Sequence, residues 1–339
     1  MIEQQGASSK DHAHEHKGPH RHTHGVIDPT LAATERGIWA LKWSFIGLFV
    51  TALFQVVVVY YSGSVALLAD TIHNFGDAAT AIPLWIAFVL ARRKPSRQFT
   101  YGLGRVEDLA GITIVMVILL SAILAGYHSF QRLIHPQPVE YLWAVILASV
   151  IGFTGNEAVA VFRIRVGKEI NSAALVADGY HARVDGLTSL AVLLGAIGVS
   201  VGYPLADPFI GLVITSVILK IVWDSSKAVF SRLLDGIEPK IIDDLKHAAD
   251  HIQEVRAVSE VRGRWLGHRL SAELNITVQS ELSVGQAHAV ALEVRHHLMH
   301  QLSYLSNVTI HVDPEDVSGE DHHRIQEHSH DGLQSHSHK

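Results

Sequence analysis

Two stretches of this 339-residue chain repeat one arrangement of metal-ligating side chains. The first runs Leu67-Leu68-Ala69-Asp70-Thr71-Ile72-His73-Asn74-Phe75-Gly76-Asp77. The second runs Leu175-Val176-Ala177-Asp178-Gly179-Tyr180-His181-Ala182-Arg183-Val184-Asp185. Both read L-x-A-D-x-x-H-x-x-x-D. A helical residue advances by roughly 100°, so spacings of three and four keep Asp, His and Asp within one narrow face. His and Asp at i, i+4 lie one turn apart and can hold one ion together. Two such helices supply His73, Asp77, His181 and Asp185, a four-ligand set of two nitrogens and two oxygens. It suits tetrahedral Zn²⁺ and neighbouring transition ions. Mg²⁺ and Ca²⁺ prefer all-oxygen shells, so the two imidazoles count against them. One HxxxD alone reads equally well as core polar residues near a helix end. Two matching copies in membrane-length segments favour a shared site. Asp70 and Asp178 read as partners of the His, as proton sites or as structural polar groups. Asn156 with Glu157 reads as interior packing or a helix-end pair.

The segments that carry these residues belong in a membrane. Apolar residues make up 48% of the chain and charged ones 18%, against about 25% charged in soluble domains, and mean hydropathy is +0.22. Six apolar segments separate: Leu41–Tyr61, Ala66–Leu90, Leu109–Tyr127, Tyr141–Phe162, Ala173–Val201 and Pro208–Val222. About 20 apolar residues cross a bilayer core. The first and third segments qualify unaided, and the others qualify if their polar residues face the bundle interior. An ionisable group at bilayer depth costs on the order of 2.5–3.5 kcal/mol. A bound cation, or protons in its absence, would offset that cost. Loop charge gives the orientation. Arg92, Arg93, Lys94, Arg97 and Arg105 follow the second segment, and Arg163, Arg165 and Lys168 follow the fourth. Ser62–Ser64 and Gly202–Asp207 carry no Lys or Arg, and the link between the third and fourth segments carries only Arg132. The positive-inside rule then places both termini in the cytoplasm.

Composition excludes several alternatives. With no Cys, the chain has no disulfide, thiol nucleophile or iron–sulfur cluster. A net charge of −6 counts against a nucleic-acid partner. Half of the 24 His sit in two low-complexity tails, at 12, 14, 16, 20, 22 and 24 and at 322, 323, 328, 330, 336 and 338. Neither tail can build a core, so residues 1–35 and 317–339 read as disordered. They read as collectors of metal or as dispensable tail. The first residues lack the apolar run of a signal peptide.

Beyond Gly236-Ile237-Glu238-Pro239 the chain is soluble in character. Lys240–Ile252 predicts an amphipathic helix and Val258–Val261 a short strand. Leu270, Ala272, Leu274, Ile276 and Val278 alternate as a half-buried strand. Ser283 caps a second helix that runs to Leu302, and Val308, Ile310 and Val312 form a last strand. The fold class is therefore a six-helix transmembrane bundle (36–236) followed by a small α+β domain (237–316) of order αββαβ.

At this point the residues resemble the cation diffusion facilitators, the zinc-transporter family, over almost all of residues 36–316. The paired HxxxD is the specific feature. Tyr101-Gly102-Leu103-Gly104-Arg105 before the third span, Leu233-Leu234-Asp235 after the sixth, and the small tail domain support it. The resemblance implies a homodimer whose protomers each move Zn²⁺ out of the cytoplasm in exchange for protons, with His73, Asp77, His181 and Asp185 as the transport site. It implies a metallochaperone-like (ferredoxin-like) cytoplasmic domain. It also implies a charge interlock at the cytoplasmic membrane edge, with Arg105 and Asp235 in the matching positions; an ordinary solvated pair there would contribute little. His288, His311 and Asp313 match a regulatory zinc site that this domain holds at the dimer interface. Ser259 and Asn275 stand where better-equipped members carry further His, and Arg92–Leu103 holds no His or Asp for a loop site. Solvated surface His is the competing reading for those three.

The expected function is divalent cation efflux across a bacterial inner membrane, with Zn²⁺ as cargo, protons as counter-ion and no resident cofactor. Fe²⁺, Co²⁺, Ni²⁺ and Cd²⁺ use the same ligands. An enzyme is not expected: no HExxH occurs and no Glu-x-x-His lies within the apolar segments, and no GxxxxGK[ST] implies ATP as the driving force. A metal-sensing scaffold that binds without transporting is the rival outside transport.

Overall fold

The computed structural model describes residues 29–62, 81–135, 142–203, 205–316, 325–328 and 336–338. Among the described residues six helices come first: α1 (Pro29–Ser62), α2 (Ala81–Ala91), α3 (Val106–Ile134), α4 (Leu142–Glu169), α5 (Ala173–Ser200) and α6 (Ala206–Leu233). Among the described residues, all but the 11-residue α2 are long and apolar enough to cross a membrane. Phe54, Leu120, Trp143, Val213 and Trp223 point outward from the bundle. So large an exposed apolar surface belongs against lipid rather than water.

The helices outrun the apolar segments that announced them. Apolar residues report the depth of the hydrocarbon, whereas the helix continues wherever protein contacts satisfy it. The sixth segment was expected to end at Val222, but α6 runs on through Asp224, Lys227 and Arg232. Helix α1 begins at Pro29, inside the segment expected to be tail. Proline suits a first helical position because its missing N–H would be unpaired there anyway.

A tight turn joins α4 to α5 and sets the geometry of everything beside it. Asn171 takes a left-handed φ of 56°, the conformation that ends helices, and Ser172 N donates to Gly167 O at 2.8 Å. The Ser172 hydroxyl then caps α5, accepting from Leu175 N at 3.0 Å. Each step back along α4 is thus matched by a step forward along α5. Gly179 permits the close approach: a Cβ there would lie 2.9 Å from the Ile164 nitrogen. Small residues at such contacts let membrane helices associate through their backbones. Beyond this hairpin, α1 packs on α2 and α4, and α3 packs on α2, α5 and α6.

The C-terminal domain follows the expected order: α7 (Pro239–Asp250), β1 (Ala257–Leu266), β2 (Arg269–Val278), α8 (Val284–Gln301) and β3 (Leu305–Pro314). Strand β2 is central, antiparallel to β1 and parallel to β3. Ser283 and Gln286 form a capping box at the start of α8. Helices α7 and α8 pack on each other and on the sheet, with Leu245, Trp265, Leu274, Val294 and Leu298 in the core.

The segment 317–339, expected to lack structure, contains a short antiparallel ribbon, β4 (Ile325–His328) with β5 (His336–His338). Asp331-Gly332 lies between them in sequence, a pair that favours hairpin turns. An isolated two-stranded ribbon is marginal in water.

Candidate metal site and the joint beneath it

The second HxxxD lies in the first half of α5 and faces the protein interior. Its residues His181 and Asp185 are one turn apart, with 3.9 Å from Nδ1 to Oδ2 and side-chain exposures of 2% and 10%. Ala174, Ala177, Ala182 and Val184 are buried along the same helix. His73, Asp77 and Asp70 lie outside the described residues. Among the described residues no three His, Asp or Glu side chains group closely enough to hold a metal ion.

Two interhelical ion pairs bracket His181. Arg163 of α4 meets Asp178 of α5 with 3.0 Å between Nη1 and Oδ2, and both side chains are fully buried. Glu157 accepts two bonds from Arg183, at 2.6 Å from Nη2 and 3.1 Å from Nε. The antiparallel hairpin brings each pair into register. It also corrects the placement of Arg163, expected in the link after the fourth segment: α4 extends to Glu169 and encloses it. Buried in the bundle, Arg163 is not one of the solvated loop charges that set orientation. Of the roles open to Asp178, the structure supplies a partner on α4 rather than on His181. Glu157 likewise pairs across helices, while Asn156 is buried in α4. The sequence signal was available in the opposite charges that flank the Asn171-Ser172 turn, Arg163 and Glu157 before it and Asp178 and Arg183 after it.

Electrostatically, the brackets matter because two bare guanidiniums beside a cation site would repel its cargo. Each guanidinium faces a carboxylate instead.

Below the bundle, the tip of the β1–β2 hairpin plugs into the ends of three helices. Glu107 Oε2, in the first turn of α3, accepts from His268 N at 3.2 Å and pairs with His268 Nδ1 at 2.6 Å. The opposite ring nitrogen meets Thr34 Oγ1 of α1 at 2.9 Å. Asp108 Oδ2 accepts from Gly267 N at 3.3 Å. The Arg232 guanidinium of α6 lies 4.3 Å from the centre of the Trp265 ring and donates to Asn171 O in the α4–α5 turn. Gly267 has a φ of +67°, and a Cβ there would lie 2.5 Å from Glu107 Oε2. Only glycine meets both demands without strain. Sequence reasoning missed this joint, because partners more than a hundred positions apart leave no periodic trace. Hydrogen bonds to charged groups contribute about 1.5–3 kcal/mol. A His268→Ala variant is therefore expected to loosen the joint, with faster amide hydrogen exchange at residues 266–269 and little change within β3.

At the membrane edge, Arg105 bonds the Asp235 carboxylate and donates to Leu233 O at 3.0 Å. Asp235 adopts a left-handed φ of 60°. In the cytoplasmic domain His311 Nε2 lies 2.9 Å from Asp313 Oδ1 on β3, and His288 is exposed on α8. Within one protomer His288, His311 and Asp313 do not gather into a group that could hold a metal ion. Asn275 lies opposite His311 in the β2–β3 register.

A family model described as the cation efflux transmembrane domain matches residues 41–234. A second, the cytoplasmic domain of cation efflux proteins, matches residues 237–315. A probable cation efflux system protein of Mycobacterium tuberculosis is 50% identical over 314 residues, covering 90% of this chain and 95% of the relative. A manganese efflux system protein of Bacillus subtilis is 27% identical over 300 residues, covering 83% of this chain and 98% of the relative. Among solved structures, a cadmium form of the MamM C-terminal domain is 23% identical and covers 23% of this chain and 96% of that domain, with a TM-score of 0.22.

Proposed function

The chain belongs to the cation diffusion facilitator family of cation efflux proteins, and from that premise we propose that it exports Zn²⁺ from the cytoplasm in exchange for protons, as a homodimer. It is a multi-pass membrane protein and a divalent cation efflux transporter. The finer reading places the cargo between His73 and Asp77 of the second span and His181 and Asp185 of α5. It places the protein in a bacterial inner membrane with both termini in the cytoplasm. The observation that carries it is the buried His181–Asp185 pair, one turn apart on a membrane-length helix and flanked by arginines whose charge is already matched.

Metal binding at such a set requires neutral His and ionised Asp, so Zn²⁺ displaces protons as it enters from the cytoplasm. The bundle then opens to the far side. Protons there compete for His73 and His181, whose ordinary pKa of about 6.5 lies in the useful range. The protonated site returns inward. A conformational cycle of this kind needs elements with two arrangements. The Arg105–Asp235 pair and the hairpin joint stand where the bundle meets the cytoplasmic domain, and we assign them the coupling between the two. The His-rich tails hold metal near the entrance.

Purified protein in sealed vesicles tests the coupling. With the cytoplasmic face outward and an acidic lumen, Zn²⁺ uptake is expected to run several-fold faster than with the gradient collapsed. An uptake rate indifferent to the gradient contradicts antiport. Competition by Fe²⁺, Co²⁺, Ni²⁺, Cd²⁺ and Mn²⁺ in the same assay ranks the cargo.

A further inference from the structure

On the surface of the cytoplasmic domain, away from the residues discussed so far, His247 and His251 stand one turn apart at the end of α7. Their ring centres are 4.3 Å apart, with the planes at 74°. Both residues are exposed, so an ion reaches them without any rearrangement. The His251 Nδ1 lies 2.8 Å from the backbone oxygen of His247. A carbonyl oxygen can only accept, so Nδ1 carries a proton, and in the neutral ring Nε2 keeps its lone pair. Metal-binding histidines show this arrangement as a rule: one nitrogen donates to a carbonyl and the other is presented to the ion. The position adds a field of the right sign. His251 is the C-terminal cap of α7, where the last carbonyls of the helix favour positive charge. Asp243 and Asp250, exposed on the same helix, add to that field.

We propose that His247 and His251 form a two-histidine clip for a borderline-soft divalent transition cation such as Zn²⁺, with water completing its coordination. Imidazole nitrogen suits Zn²⁺, Cu²⁺ and Ni²⁺ and disfavours Mg²⁺ and Ca²⁺. The clip lies in the cytoplasm and exchanges its ion readily, because two ligands and water hold it. It does not depend on transport: binding there is a property of the domain whether or not the ion crosses the membrane.

The test uses the full-length protein in detergent at neutral pH, with Zn²⁺ alone as the probe. Diethyl pyrocarbonate modifies free imidazoles, and peptide mass spectrometry reads each histidine separately, so the tails do not obscure the result. Zn²⁺ is expected to protect His247 and His251 with a shared midpoint, and Mg²⁺ to protect neither. Tethering two ligands raises the apparent affinity well above that of one. His247→Ala is therefore expected to raise the midpoint for His251 roughly tenfold or more. His296 and His300 on α8, also 4.3 Å apart, are expected to be unaffected by that change. Failure of Zn²⁺ to protect His251, or a His251 midpoint unchanged in His247→Ala, overturns the proposal. The replaced position is exposed, so loss of fold does not stand in for loss of binding.

Discussion

An Asp185→Ala variant is expected to lose Zn²⁺ flux in vesicles while remaining folded. Even an outer partner of a metal ligand is worth roughly 10–100-fold in affinity or activity, and Asp185 is assigned a place in the ligand set itself. The fold is expected to survive because the side chain is short and partly accessible. Its removal also takes away a carboxylate that costs about 2.5–3.5 kcal/mol at bilayer depth when no cation is present. A thermal melt of the metal-free protein is therefore expected to show no loss of stability. Flux at the wild-type rate contradicts the assignment, and so does wild-type metal retention in a variant that still folds. His181→Ala is expected to behave in the same way.

The second large effect is one of stability. Arg163→Leu leaves the Asp178 carboxylate buried without its partner, a change that costs about 3–5 kcal/mol. That is a large share of the about 5–15 kcal/mol that holds a typical domain folded, so poor accumulation in the membrane and a sharply lowered melting temperature are expected. Removing both charges is a different experiment. Replacing a buried pair by apolar residues of similar volume is often neutral or stabilising. Arg163→Leu with Asp178→Leu is therefore expected to recover most of the lost stability, a coupling read from the double-mutant cycle. Flux then decides the role of Asp178. If the pair is structural, as its geometry indicates, the double variant transports. A stable double variant with no flux assigns Asp178 to proton or metal handling instead.

What the sequence made legible was whatever repeats locally. The HxxxD of α5 follows helical spacing, so its inward face could be read directly. The alternation of Leu270 through Val278 declared a strand because side chains in a strand point to opposite faces in turn. Ser283 announced the start of α8 through its cap. What escaped was set by contacts between distant segments. Arg163 looked like a loop charge because its partner, Asp178, belongs to the next helix. Acidic residues favour the start of a helix in any case, and nothing near Glu107 in the sequence points to His268. The ends of α1 and α6 were misjudged because hydropathy measures lipid exposure, and those ends are held by protein.

Anomalous scattering at the zinc edge, from crystals of the Zn²⁺-loaded protein, tests the central assignment most directly. One peak within the membrane region of each protomer is expected, in contact with His73, Asp77, His181 and Asp185 at about 2.0–2.2 Å. A membrane-region peak held by other residues, or second-span and α5 side chains that turn away from one another in the loaded protein, contradicts it.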